Sequence, residues 1–533
     1  MKVTLPPLLG VLSARGCLAA LYYPSLQVSL LEHILVDNWG AYASNFSAAI
    51  TPCTNYVTEV GDPAIKSGRT TAAQWIRVAF HDFVTANVTA GTGGLDASIG
   101  FETLRSENSG SAMNDSFTFW RPFVNDAVPM ADLVALGTVM SSSLCGGYKI
   151  PFRPGRIDAL HADPTTGVPA PETDLEETLV FFNRSGFGST DAIGLTACGH
   201  TMGSVHHGGF PDVVPESAVN ENNTNGGSNF DTSRGAFDTR VVHEYIDGTG
   251  NRGGPLVTTD NVTTRSDLRL YESDNNATMQ ALYDQGDGFL QTCVTLLGRM
   301  INTVPNQVVL QDPITALPVK PVNVSFGFGD DGKLELTGRI RVLTSSGSTA
   351  PPSLTIALSN GLSTLASPEP ETGTSVFGGD ASLTPPVYGT TTYFPFRVCG
   401  PDLSKAISLA ISGDGIQSVV FPLEAHEFID PSLTQISGSV IDVTIAVLAA
   451  GSHSGAAPEV QVAAPIGQSG TLGPQILRND VAVSKSANLK DGFEMWSGTL
   501  DLGHAVTGAV SVKALAGGVV VDTLMVSNGV AGW

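Results

Sequence analysis

Two kinds of hydrophobic pattern divide the chain near residue 305. Before it, apolar positions recur three and four apart, the spacing that places them on one face of a helix. TAAQWIRVAFHDF has Trp75, Ile76, Val78 and Phe80 in this arrangement, with Thr70 or Thr71 as the N-cap. Asp132 to Leu144 is apolar on nearly every side, as a buried helix is. TDLEETLVFFNRSGF reads as an amphipathic helix, STDAIGLTACGHTMG as another capped by Ser189 or Thr190, and GFLQTCVTLLGRMI as the last. Residues 25 to 60 read as a lead-in helix containing Trp39 and ending at the Pro52-Cys53 turn. After residue 305 the period drops to two, in KLELTGRIRVL, SLTIAL, AISLAI, SVVFPL, VIDVTIAVLA and GAVSVKALAGGVVVDTLMV. Short alternating runs between Gly, Ser and Pro turns predict antiparallel sheets. The expected fold class is multidomain: a mainly α domain over 25–305, then all-β sandwich-like domains at 315–430 and 431–533.

Composition narrows the partners. A chain of 533 residues is too long for one core. With 50 acidic against 27 basic residues, a formal charge of -23, nucleic acid and anionic membranes are poor partners. Residues 1–20, with Lys2, an interrupted apolar run and small residues at Ala19 and Ala20, read as a secretory signal peptide. Eight N-x-S/T sequons, at Asn45, Asn87, Asn114, Asn183, Asn222, Asn261, Asn276 and Asn323, agree with a secreted, extracellular and glycosylated product. No later segment has about 18 uncharged apolar residues, so a soluble protein is expected, and a monomer with it. Beyond Cys17 in the signal, five cysteines remain, with no C-x-x-C pair for zinc. One bridge, Cys53 to Cys293, is expected, with Cys198 a buried free thiol.

The candidate chemistry centres on Arg77 and His81, four apart on one helix face, a permanent cation beside a titratable base. His200, at a helix end, is the second candidate. Asp231 and Asp238, seven apart around a glycine turn, suggest a cation loop. The neighbours His206 and His207 point in different directions on a loop, and Trp75 and Trp120 read as core aromatics.

In order, the chain contains R-x-x-F-H-D (Arg77–Asp82), G-G-x-D-x-S (Gly93–Ser98), C-G-H-T (Cys198–Thr201), F-D-x-S-x-x-x-F-D (Phe230–Asp238) and LRLYESD (Leu268–Asp274). This series, over about residues 50 to 300, resembles the plant-type haem peroxidase superfamily, in particular its secreted fungal branch. The resemblance implies a haem b site with His81 and Arg77 on the peroxide side, Phe80 as the distal aromatic, and Asn108 fixing the tautomer of His81. It makes His200 the iron ligand, Phe230 the aromatic beside it, and Asp274 the carboxylate that accepts a hydrogen bond from His200. Two calcium sites are implied: Asp82, Gly94, Asp96 and Ser98 distally, and Thr201, Asp231, Ser233 and Asp238 proximally, with Ser233 where Thr is usual. Thr70 and Gln74 stand where manganese-oxidising members carry glutamates, and Leu195 where high-potential members carry a surface Trp, so neither speciality is expected. The implied activity is reduction of hydrogen peroxide through a ferryl state with one-electron oxidation of small phenolic-type donors. Two alternatives stand beside it: an extracellular binding or adhesion protein with a structural haem domain, and a peroxidase tethered to cell-wall polysaccharide by its β domains.

Overall fold

The structure, a computed structural model, describes residues 21–38, 42–54, 56, 67–345, 347–369, 387–451 and 455–527. The expected signal segment and Trp39 lie outside the described residues. A helical domain comes first and antiparallel β-sheets follow.

The helix Thr71–Phe83 starts where Thr70 turns extended, at φ -135°, although the Thr70 side chain makes no capping bond. Its apolar face, Trp75, Ile76, Val78, Ala79 and Phe83, is buried against the helix Met130–Gly146. That long helix is buried along nearly its whole length, as its unbroken apolar sequence requires. Gly137 lets the two approach: a Cβ there would sit 3.0 Å from Trp120 and 3.3 Å from Trp75. Trp75 and Trp120 pack with ring centroids 5.3 Å apart and are wholly buried, as core aromatics. The helix Leu175–Arg184 is capped by Asp174, whose carboxylate accepts from Glu177 N at 2.8 Å. Ser189–Gly199 begins after Gly188, one residue before Ser189 and two before Thr190, the expected caps, and ends at His200. Gly288–Ile301 packs across it. The expected lead-in helix is two pieces, Leu26–Val36 and Asn45–Ala48.

The disulfides correct the expected pairing. Cys53 bonds Cys145 and Cys198 bonds Cys293, so Cys198 is no free thiol; Cys399, exposed in the β region, is the free one among the described residues. The reason is packing. Cys53 follows the short Asn45–Ala48 helix, which brings it to the end of Met130–Gly146, and Cys198 and Cys293 lie on two helices that pack together.

Four sheets follow. Val319–Phe328, Leu334–Thr344 and Thr390–Cys399 form one, and Ser363–Ala366, Leu354–Leu358, Ser408–Gly413 and Ile416–Pro422 the sheet that shares its core. The second pair is Glu427–Ile429, Val440–Leu448, Phe493–Asp501 and Ser484–Lys490, joined at its edge by Gln435–Ser437, and Gln475–Asp480, Glu459–Ile466, Val510–Ala516 and Val519–Val526. Ile441, Val443, Ile445 and Val447 fill the core of this second pair, while Ala446, on the other face of the same strand, packs into the first core.

The helices and the first β pair meet at a buried ionic cluster. Arg341 donates to Glu32 at 2.7 Å and lies 3.3 Å from Asp37, and Lys320 reaches Glu32 at 2.7 Å, all nearly without solvent exposure. Charges this deep persist only where they are paired and most of their remaining hydrogen-bonding capacity is used. Here only Arg341 Nε goes without a partner among the cluster's cations. Lys320 also donates to Ser29 O and Arg341 to Leu317 O.

Candidate active site

The helix Thr71–Phe83 turns Arg77, Phe80 and His81 toward a cavity of about 800 Å³ that His200 and Phe230 line from the proximal side. Ile76, Val168, Phe182, Leu195, Leu270, Leu297 and Met300 make the rest of its inner wall largely apolar.

On the distal side, the ring of His81 is held at both nitrogens. Its Nδ1 lies 2.8 Å from Asn108 Oδ1, and Asn108 in turn donates Nδ2–H to Glu102 O at 3.0 Å, so Asn108 Oδ1 must accept. That leaves Nε2 as the acceptor, facing Arg77 Nε–H at 3.3 Å. Burial pushes the pKa of His81 down to about 3, helped by the Arg77 charge, so the imidazole is neutral near pH 7. Arg77 also donates to Ser109 O, 3.4 Å away. Burial lowers its pKa to about 10, with Arg69 contributing, and leaves it a cation at neutral pH.

On the proximal side, the ring of His200 stacks on Phe230 at 3.8 Å between centroids and 7° between planes. Its Nδ1 lies 2.7 Å from Asp267 Oδ2. This corrects the expected partner, Asp274. Asp274 accepts instead from Thr278 N at 3.0 Å and Thr278 Oγ1 at 2.5 Å, holding the first turn of the helix Ala277–Asp284. The dipeptide Ser-Asp occurs twice, at 266–267 and 273–274, and motif order alone does not choose between them. The local signal was there: Asp274 stands just ahead of a helix start, where a short acid is used by the backbone.

The distal acidic loop gathers the four expected residues. Asp82 accepts from the N–H groups of Asp96, Ala97 and Ile99 at 2.8–3.1 Å, and Ser98 Oγ lies 3.4 Å from it. Gly94 N–H reaches Thr85 Oγ1. Burial and mutual repulsion raise the pKa of Asp82, and burial raises that of Asp96. In the proximal loop, Asp231 Oδ1 accepts from Ser233 N and Oγ at 2.8 Å, while its Oδ2 is buried without a partner. Burial, with Asp238 adding to it, pushes Asp231 up to about 6. Thr201 is fully buried in the turn tied to this loop by Gly203 N–H donating to Arg234 O. A buried Asp231 whose neighbour Asp238 raises it further, with one oxygen unsatisfied, fits a hard cation held by oxygen ligands.

His206 and His207 are anchored to different carbonyls, Gly68 O and Val214 O, and do not converge. Among the described β residues, Phe326, Phe328, Tyr393, Phe394, Phe396, Phe421, Phe428, Phe493 and Trp496 are buried. None of these rings offers an exposed face for stacking on sugar.

A helical domain with a histidine and arginine facing a carboxylate-paired histidine across one cavity defines a class, and residues 57–285 match the family model described as Peroxidase. Among relatives, a WSC domain-containing protein of Arthroderma benhamiae is 38% identical over 352 residues, 65% of this chain and 46% of that one. L-ascorbate peroxidase 5, peroxisomal, of Arabidopsis thaliana is 34% identical over 145 residues, 27% of this chain and 51% of its own. A mitochondrial cytochrome c peroxidase of Cryptococcus neoformans var. neoformans is 30% identical over 136 residues, 25% and 36% of the two chains. The chain spans about half the length or less of these relatives.

Proposed function

We propose that the protein is a secreted haem peroxidase that reduces hydrogen peroxide and oxidises small donors one electron at a time. The observation that carries this is the pair of opposed histidines, one buried neutral beside a guanidinium and one paired to a buried carboxylate, across an apolar-walled cavity. Haem b would be held by His200, stacked beside Phe230, and when bound it supplies an iron centre that accepts two oxidising equivalents from peroxide. The chain's own residues do the rest. His81 Nε2, which accepts from Arg77 in the resting site, exchanges that bond for the peroxide, takes the proton from one peroxide oxygen and returns it to the other. Arg77 stabilises the negative charge that grows as the O–O bond breaks. Asp267 accepts a hydrogen bond from His200 Nδ1–H and so makes its other nitrogen a more electron-rich ligand. Phe80 walls the pocket beside His81.

Calcium is proposed for both acidic loops, most strongly for the proximal one with its partnerless Asp231 oxygen. For secretion, the support is the sequence of the first 20 residues and the sequons, none of whose asparagines is buried. Phe80 ahead of the distal histidine also supports the secreted branch, and the small-donor assignment rests on the resemblance.

The test is spectroscopic. Purified protein should bind haem with a Soret band that shifts on adding peroxide, and an Arg77→Leu/His81→Ala double variant should bind haem without the shift. Normal haem binding with no peroxide response in the unaltered protein would overturn the proposal in favour of a structural haem.

A further inference from the structure

The two disulfides join Cys53 to Cys145 and Cys198 to Cys293. The stretch 84–129, which carries Asn108 and Ser109, lies inside the first loop and has no bridge of its own. The second pair of β-sheets rests on this stretch at three points. Thr471 presses on Gly100, where a Cβ would come within 2.8 Å of Thr471 Oγ1 and 2.6 Å of Phe117. Gly508 lies over the backbone carbonyls of Pro122 and Val124, close enough that a Cβ would be 2.9 Å and 2.6 Å from their oxygens. Asp126, 7% exposed, is clamped between Lys513 and Arg478, the latter at 2.6 Å. Burial alone would raise the Asp126 carboxyl, and the two cations more than offset it, leaving it below the ordinary range. Leu472 and Ile476 add apolar contacts on the helical core.

The placement of Thr471 has a specific reach. Gly100, in the short helical turn Ser98–Phe101, and Phe117, on the helix Ala112–Trp120, meet at the base of the loop that runs between them. Between them lie Glu102, whose carbonyl orients Asn108; Asn108, which fixes His81; and Ser109, whose carbonyl receives Arg77. Both distal groups therefore take their orientation from a loop whose base is seated on a β unit more than 300 residues further along the chain.

We propose that the second β unit is a positioning element for the distal pocket, with Thr471, Arg478 and Lys513 as positioning residues that hold the 100–117 loop, and so His81 and Arg77, in place. The proposal rests on the peroxidase reading above. It is tested on the full-length, haem-loaded chain with Thr471→Ala and Arg478→Ala/Lys513→Ala variants and an Arg478→Lys/Lys513→Arg rescue. Amide hydrogen exchange and the rate of the peroxide-induced Soret change are followed together. Removing the clamp should speed exchange in residues 98–120 about fivefold and slow the peroxide reaction by a similar factor. Exchange in 189–199 and 288–301 and the apparent KM for the reductant should not move, and the rescue should restore both affected readouts. The proposal is overturned if the unaltered protein responds to peroxide and the variants match it in rate and in 98–120 exchange. It is equally overturned if every segment loses protection alike, which would make the β unit a general stabiliser. Absence of any peroxide response in the unaltered protein would instead sink the peroxidase reading, and the exchange comparison would still decide whether the β unit holds the loop.

Discussion

Asp267 and Asp274 differ by seven positions and do different work, so they make a sharp residue-level test. Asp267→Asn leaves His200 without a strong acceptor at Nδ1, and the peroxide reaction should slow by one to two orders of magnitude, about the loss seen when an outer partner of a metal ligand is removed. Asp274→Asn should leave that rate unchanged and cost about 1 kcal/mol of stability through the weakened start of the next helix. Equal effects on rate would show that the pairing with His200 is not what matters. His81→Ala should lower the same rate about 10² to 10⁴-fold while haem is still bound, read by stopped-flow Soret changes. At this scale the pairing of Arg77 with His81 was legible in sequence because both sit on one helix, where a spacing of four fixes the face, whereas Asn108 comes from a separate loop. The proximal acid was not, because its role is set by which of two similar turns packs under His200, a tertiary fact without a local period.

Loops and helix junctions hold the next set of consequences. Of the two acidic loops, only the proximal one showed in spacing, as Asp231 and Asp238 seven apart around a glycine turn; the distal set came from the family resemblance. Their electrostatics give a pH prediction for the proximal one. Asp231 has a folded pKa raised to about 6 against an ordinary 3.8, so the metal-free folded state binds a proton more tightly than the unfolded chain between those values. If the proposed calcium binds there, it must displace that proton. Its affinity should be greatest above about pH 6 and fall roughly tenfold per unit below it, measured as the calcium-induced rise in Tm across pH 5 to 7. A flat profile would argue that Asp231 is not a ligand. The cysteines show the opposite limit: five positions in a string carry no pairing information, and only the docking of Asn45–Ala48 on one helix and of Ser189–Gly199 on another selects the two bridges.

For the whole molecule, the change from a period near 3.6 to a period of two marked where helices give way to sheets, because each period follows from backbone geometry. What no period could show is how the parts join. Glu32, Asp37, Lys320 and Arg341 are scattered over more than 300 positions and look like ordinary surface charges until they are seen buried together. Arg341→Ala would leave two carboxylates buried with too little countercharge and should cost about 3–5 kcal/mol, read by denaturant unfolding. Asp37, which burial would raise and Arg341 and His33 hold down at about 2, keeps its charge into strong acid. Its contribution is complete above the ordinary 3.8 and lost only as pH falls from there toward 2.

That ionic cluster also sets an order of events during synthesis. Glu32 and Asp37 are made about three hundred residues before Lys320 and Arg341. At roughly 5–20 residues per second, the first helix waits some 15 to 60 seconds for its cations, and until then it cannot bury those carboxylates. The helical domain thus completes its own packing only after the first β strands have left the ribosome, and a chain cut at residue 305 should be recovered as a loosened, aggregation-prone species.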